Sequence, residues 1–385
     1  MKSESKTMLS ILSLSTVTGI TTVITGIIPQ LKETFPNVPT TMIELLITIA
    51  NFSALVTLLL NPILTERFSL KKVVIFGLLA SALAGILPLF TTSFALIMVS
   101  RIILGLGVGL FSPHAISLIA HSYKGELRAR LLGYQTGLSA LGNAILLGVA
   151  SLLVIFNWQN VFWLYALLIV IAILVKKFVP EPSIKSDKNL TKSVQLPHRQ
   201  WLLIVLAFIT YLLIWGVQLK LPSYFEGRQF GNAQVLNLTL AAMNIGGFLA
   251  GISFGQLHRK LHKYTLTLGY AGAALSVLIL WTTSNSTVAI LAAIFFNFIY
   301  SYTGPYLIFT SNNGLAESQV NTLSSYLTVA TIISAFFAPL VWNLVGQIGP
   351  QSVTNNVLLW IMIVLAILAI MTIFFNRSKK SKSMN

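Results

Sequence analysis

The chain has 385 residues, 55% of them hydrophobic and 9% charged, far from the roughly one quarter of charged residues in a soluble domain. A formal net charge of +16 would suit a nucleic-acid partner in a soluble protein. In a chain this apolar, the cations instead report membrane topology, and no nucleic-acid partner is expected. With zero cysteines, disulfides, thiolate metal sites and a cysteine nucleophile are excluded.

The apolar residues arrive in runs of about 20, the length that crosses the hydrocarbon as helix, and not in the alternating ten-residue pieces of a barrel. The expected class is an all-α integral membrane protein. The first run, 8–31, is too long for a signal segment and is read as a retained first helix. It carries a polar stripe of Ser15, Thr18, Thr22 and Thr25. The second, 41–64, holds Glu44, a carboxylate set inside a span. Glu44 is either a group that takes up and releases a proton in competition with substrate, or a hydrated glutamate near the outer boundary. The turn after it, NPILTERFSLKKVV, packs Glu66, Arg67, Lys71 and Lys72 between two apolar runs.

The third and fourth spans are 73–92 and 95–120. The fourth contains Arg101, which either faces the bundle interior or snorkels to the boundary about 9 Å away. His114, on another face of that helix, is read as a satisfied histidine near the inner end. The fifth span, 130–155, aligns Gln135, Ser139 and Asn143 on one face, and the sixth runs over 160–177. A Lys-, Ser- and Pro-rich linker, 179–200, then divides the chain into an N-terminal bundle, 1–178, and a C-terminal bundle, 201–385.

The second half is read as spans 201–224, 233–256, 265–283, 287–311, 320–346 and 353–375, making twelve. Gln218 lies in the first of these. Gly247, Gly251 and Gly255 in the next read as a packing stripe. The tenth span carries Asn297 and Tyr300 and is expected to break at Gly304-Pro305. Of the 25 Lys and Arg residues, all but Lys32, Arg101, Lys220 and Arg228 fall on one side of these spans. The positive-inside rule therefore places both termini in the cytoplasm of a plasma-membrane protein, with Lys220 on the outer side. One constant shift of about half the chain lays Pro29 on Pro222, Glu33 on Glu226 and Leu64 on Leu257, as in a duplicated six-helix unit. In both halves, the first helix is expected to end at its proline.

The twelve-span layout resembles the major facilitator superfamily over essentially the whole chain. The turn P-I-L-T-E-R-F-S-L-K-K stands where that family has G-x-L-a-D-R-x-G-R-K, sharing Leu64, Arg67 and Lys71. Arg101, Gly105 and Gly107 match its R-x-x-x-G-x-G pattern, whereas Gly142-Asn143 replaces the Gly-Pro of the antiporter branch. The resemblance implies two six-helix pseudo-repeats rocking around a midplane site. It further implies proton-coupled efflux of small amphiphilic or drug-like molecules, with Arg101 and Glu44 as proton-coupling candidates.

Glu66, Arg67, Lys71 and Lys72 become a cytoplasmic gate that biases two states, or else a plain topological anchor. The substrate-cavity candidates are Thr18, Thr22, Gln135, Asn143, Gln218, Asn297 and Tyr300; the stripes among them read equally as helix-packing contacts. An interior with one carboxylate and one arginine suits neutral or anionic amphiphiles better than cationic drugs. The alternative is an uptake symporter for a sugar, nucleoside or organic anion. A non-transporting sensor or a lipid translocator is a reading of a different class. No enzyme constellation or metal-ligand set appears, so no cofactor beyond the proton gradient is expected. The expected partners are a small-molecule substrate and the lipid bilayer, and the expected state is a monomer.

Overall fold

A computed structural model describes residues 2–123, 125–181, 196–312, 315 and 317–381, and all regular structure among them is helical. Hydrocarbon offers a backbone no partners, and the helix satisfies its own N–H and C=O groups within one segment. The chain divides into two compact units, Met1–Lys192 and Ser193–Asn385. The expected linker lies largely outside the described residues.

The first unit begins with α1 (Lys2–Thr16), a 3₁₀ segment (Ile20–Ile27) and α2 (Ile28–Thr34). It continues with α3 (Thr40–Arg67), α4 (Leu70–Ile86), α5 (Phe94–Phe111), α6 (His114–Ser122) and α7 (Gly125–Leu153), and ends with a second 3₁₀ segment (Trp158–Ala166) and α8 (Leu167–Phe178). The second unit holds α9 (His198–Arg228), α10 (Ala233–Leu261), α11 (Thr265–Thr282) and α12 (Ser286–Tyr300). It closes with α13 (Thr303–Asn312), α14 (Glu317–Val345) and α15 (Val353–Ser381). Among the described residues, nine stretches are long and apolar enough to cross a membrane, or ten if the bent pair Ser5–Thr16 and Ile20–Thr34 is one span.

The first span is not the continuous helix expected. It breaks after Thr16 and bends by 40°. Five hydroxyls around the break bond carbonyls three residues back: Ser13 to Ser10, Thr16 to Ser13, Thr18 to Ser15, Thr22 to Gly19 and Thr25 to Thr22, at 2.7–2.9 Å. Such bonds supply donors to carbonyls that a 3₁₀ turn leaves poorly served. The fourth span likewise breaks, at Ser112-Pro113, between α5 and α6.

The tenth span breaks at Ser301–Tyr302, just ahead of the expected Gly304-Pro305. Proline lacks an N–H and fits the first turn of a helix, so Pro305 sits at the start of α13 and the interruption falls upstream. Pro222 does not end its helix either: it lies inside α9, which runs on to Arg228. The first helices of the two halves thus differ, one broken and one continuous.

Glycines bring α3, α4 and α5 into backbone contact. A Cβ on Gly105 would strike the Ala50 carbonyl and the Ser53 hydroxyl, and one on Gly109 would strike the Ala54 carbonyl and the Thr57 hydroxyl, all on α3. A Cβ on Gly107 would lie 2.6 Å from the Gly77 carbonyl of α4. The alternation works because Gly105 and Gly109, four residues apart, share a face that Gly107 does not. Cross-helix bonds fill the seams: Thr57 Oγ1 donates to Leu106 O at 2.7 Å and Ser81 Oγ to Leu104 O at 3.0 Å. In α10 the expected stripe is only partly used. Gly247 faces Asn297 and Ser301, while Gly251 and Gly255 face open space.

Candidate functional site

In the first unit, the polar interior is organised around Arg101 on α5, which is 1% exposed. Its Nε donates to Leu46 O of α3 at 2.9 Å, one terminal nitrogen to the Tyr165 hydroxyl at 2.6 Å, and the other to Thr21 O in the first span. The guanidinium therefore points inward and does not snorkel. Tyr165 comes from the 3₁₀ segment Trp158–Ala166, and its ring rests on Gly85 of α4, where any Cβ would overlap it. Arginine offers five donors and stays charged, so it can fix an interior positive charge but cannot itself carry a proton. Glu44, on α3 two residues before Leu46, is fully buried at 0% exposure.

The break in the first span is the second feature of this interior. Asn143 of α7 places its Oδ1 3.3 Å from Thr22 Oγ1, and a Cβ at Gly19 would come within 2.6 Å of that oxygen. Gly142 lies against the Thr16 backbone. The Gly142-Asn143 pair therefore seats α7 on the interrupted turn. Thr21 Oγ1 donates to Asn51 Oδ1 at 2.9 Å, tying the same turn to α3. Thr18 is half-buried and bonds within its own turn, and Gln135 and Ser139 bond one another along α7 at 3.4 Å. Of the gate candidates, Glu66, Arg67 and Lys72 are exposed and Lys71 is half-buried.

His114 is only half satisfied. Its Nε2 lies 3.2 Å from Asn61 Oδ1, and Asn61 Nδ2 donates to Gly109 O at 2.8 Å. Asn61 therefore presents its oxygen, and Nε2 carries the proton. Nδ1 is buried without a hydrogen-bond partner among the described residues.

In the second unit, Tyr300 donates to Thr210 O, and Thr210 Oγ1 and Tyr270 Oη lie 2.7 Å apart. Asn297 Nδ2 donates to Met243 O at 2.6 Å, while its Oδ1 is buried without a partner among the described residues. Asn297 and Tyr300 thus tie α12 to α10 and α9. Gln218 is half-buried on α9, and its carbonyl is the one that Pro222, having no N–H, leaves without a helical donor.

A recess of about 280 Å³ opens between α9, α13 and α14, lined in part by Tyr211, Gly304, Ser324, Thr328 and Thr331. Tyr211 is hydrogen-bonded to Thr331. None of its four hydroxyl-bearing residues was singled out from the sequence, although Ser324, Thr328 and Thr331 repeat at helical spacing. Lys220 corrects the topological reading. It is not on an outer loop but inside α9, 1% exposed, with Nζ 2.8 Å from Asn343 Oδ1 of α14.

Comparison with known proteins places these features in a family. The chain is 33% identical over 107 residues to the methylenomycin A resistance protein of Bacillus subtilis (strain 168), covering 27% of this chain and 23% of that protein. It is 27% identical over 222 residues to a TsgA homolog of Enterobacter sp. (strain 638), 55% of each. The chain thus spans from about a quarter to a little over half the length of these curated relatives.

Among solved structures, a bacterial homolog of the human lysosomal transporter Spinster, in an inward-facing and occupied conformation, matches with a TM-score of 0.81 at 14% identity, over 98% of this chain and 97% of that one. A D-xylose–proton symporter matches with a TM-score of 0.76 at 16% identity, over 96% and 97%. These two likenesses are of fold. The family profile described as Major Facilitator Superfamily matches residues 9–339, and this multi-pass membrane protein belongs to the major facilitator superfamily.

Proposed function

We propose that this chain exports small neutral or anionic amphiphiles across the plasma membrane, in exchange for protons, by alternating access between two six-helix units with both termini cytoplasmic. The observation that carries the reading is Glu44: a carboxyl group with no exposure, in the same helix as a carbonyl that holds the buried Arg101. A carboxyl so placed can take up and give back a proton as access changes. Arg101 and Lys220 together outnumber this carboxylate within the spans, which supports anionic or neutral cargo over cations.

The twelve-span layout gains support from the stretch Ala233–Thr282. At 50 residues it is too long for one crossing and consists of α10 and α11. The broken first span and α7 account for two further crossings. The turn carrying Glu66, Arg67, Lys71 and Lys72 acts in this scheme as the inner gate.

A second reading, uptake of a hydroxyl-bearing solute, is favoured by the recess with Tyr211, Ser324, Thr328 and Thr331 on its walls. The experiment is internal pH in proteoliposomes holding the full chain, challenged with a panel of amphiphiles and with D-xylose, with Glu44→Gln beside the wild type. Proton movement driven by an amphiphile and lost in Glu44→Gln is the expected result. Substrate flux with no proton movement refutes the coupling, and inward accumulation of D-xylose with protons selects the second reading.

A further inference from the structure

A second cavity lies elsewhere in the first unit, about 400 Å³ in volume and lined by Leu64, Phe68, Lys72, Val73, Phe76 and Leu110. It sits one turn beyond the crossing of α4 and α5 at Gly77 and Gly107, at the end of α3 and the start of α4. Three properties distinguish it from ordinary apolar surface. Five of its six lining residues are apolar, and the sixth, Lys72, is exposed at the point where the helix starts. Two large rings, Phe68 and Phe76, stand 57% and 68% exposed beside it, so an apolar chain can enter from the side. The adjoining turn holds Arg67 and Lys71 against the single carboxylate Glu66, a net positive edge at the membrane boundary.

We propose that this groove is a binding site for one anionic phospholipid of the leaflet that faces the basic loops, with an acyl chain between Leu64, Val73, Phe76 and Leu110 and the phosphate on Lys72. Hydrocarbon alone would gain little there, because lipid tails are as apolar as leucine and drive no burial. Selectivity therefore rests on the headgroup, and a lysine near an anionic surface favours it by about fivefold. The charge complementarity commits the occupant: a neutral zwitterionic lipid fills the groove equally well but gains nothing net from Lys72. A free phosphate gains the lysine but not the groove.

The test is native mass spectrometry of the delipidated full chain titrated with equimolar dioleoyl phosphatidylglycerol and dioleoyl phosphatidylcholine, with sn-glycerol 3-phosphate as a chain-free competitor. The expected result is a preference of about fivefold for phosphatidylglycerol in the first bound lipid. That preference disappears in Lys72→Gln, survives in Lys71→Gln, and is unaffected by glycerol phosphate. Lys71 does not line the cavity, so equal losses in the two variants would show a diffuse basic surface and overturn the site. No preference in the wild type, or a preference untouched by Lys72→Gln, overturns it as well. Leu64→Trp, which fills the groove without changing charge, should lower retention of both lipids. Undiminished retention would refute the acyl-chain placement.

Discussion

The bond between Arg101 and Tyr165 lends itself to a double-mutant cycle. A hydrogen bond to a charged group contributes about 1.5–3 kcal/mol in soluble proteins, whereas cycles within membrane bundles average about 0.6 and reach about 1.7 kcal/mol. At 2.6 Å, between a guanidinium 1% exposed and a phenol 0% exposed, the pair belongs at the upper end of the membrane range. We expect a coupling energy of about 1.5 kcal/mol, roughly tenfold in the folding equilibrium. Tyr165→Phe removes that bond and leaves the carbonyls of Leu46 and Thr21 on the guanidinium; Arg101→Met removes all three. Reversible unfolding of the full chain in mixed micelles, followed by tryptophan fluorescence, measures both single variants and the double. Costs that add within about 0.5 kcal/mol would show that Tyr165 does not hold Arg101 and would refute this account of the interior.

Other outcomes follow from the same packing. Gly105→Ala should cost about 1–3 kcal/mol in the same unfolding assay, because its Cβ meets backbone and a short side chain on α3. Gly251→Ala, facing open space, should cost nothing, and equal costs at the two positions would sink the steric argument. At the Lys220–Asn343 pair, Asn343→Leu should destabilise more than Lys220→Met, since it leaves a buried ammonium without its amide. Adding Lys220→Met to Asn343→Leu should recover stability, and a double variant worse than Asn343→Leu alone would overturn this. His114→Gln keeps a donor for Asn61 without a ring, and melting temperature should stay near wild type. A large drop would mean that the imidazole does more than bond Asn61.

The membrane class and the interruption of the tenth span are legible in the sequence, because each follows from a local cost, charge in hydrocarbon or proline in a helix, whereas the sequence leaves Arg101 between the interior and the boundary. What is not legible depends on distant partners. Tyr165 is 64 residues from Arg101, and nothing near either residue announces the other. The break at Thr16 has no proline to announce it, and Asn143, which seats against Gly19 there, comes from the distant α7. Lys220 reads from the sequence as an outer-side cation, yet it lies buried inside α9, which runs on past Pro222. A membrane helix tolerates proline when its surroundings serve the freed carbonyl. The four-residue glycine spacing of α10 suggested contacts at all three positions, yet only Gly247 has one, since spacing fixes a face and not its neighbour.

The glycines of α5 also set how the first unit can deform. Where side chains separate two helices, a small slide is absorbed by rotamer changes, but the backbones at Gly105, Gly107 and Gly109 touch their neighbours with nothing between. A displacement of α5 therefore reaches α3 and α4 without slack, and Arg101 travels with them as part of one stiff lever. The compliant element is the first span, whose interrupted turn is held by hydroxyls that can exchange one carbonyl for the next. Any stroke of this unit would be taken up at Val17 to Gly19, leaving the three clamped helices unchanged in shape.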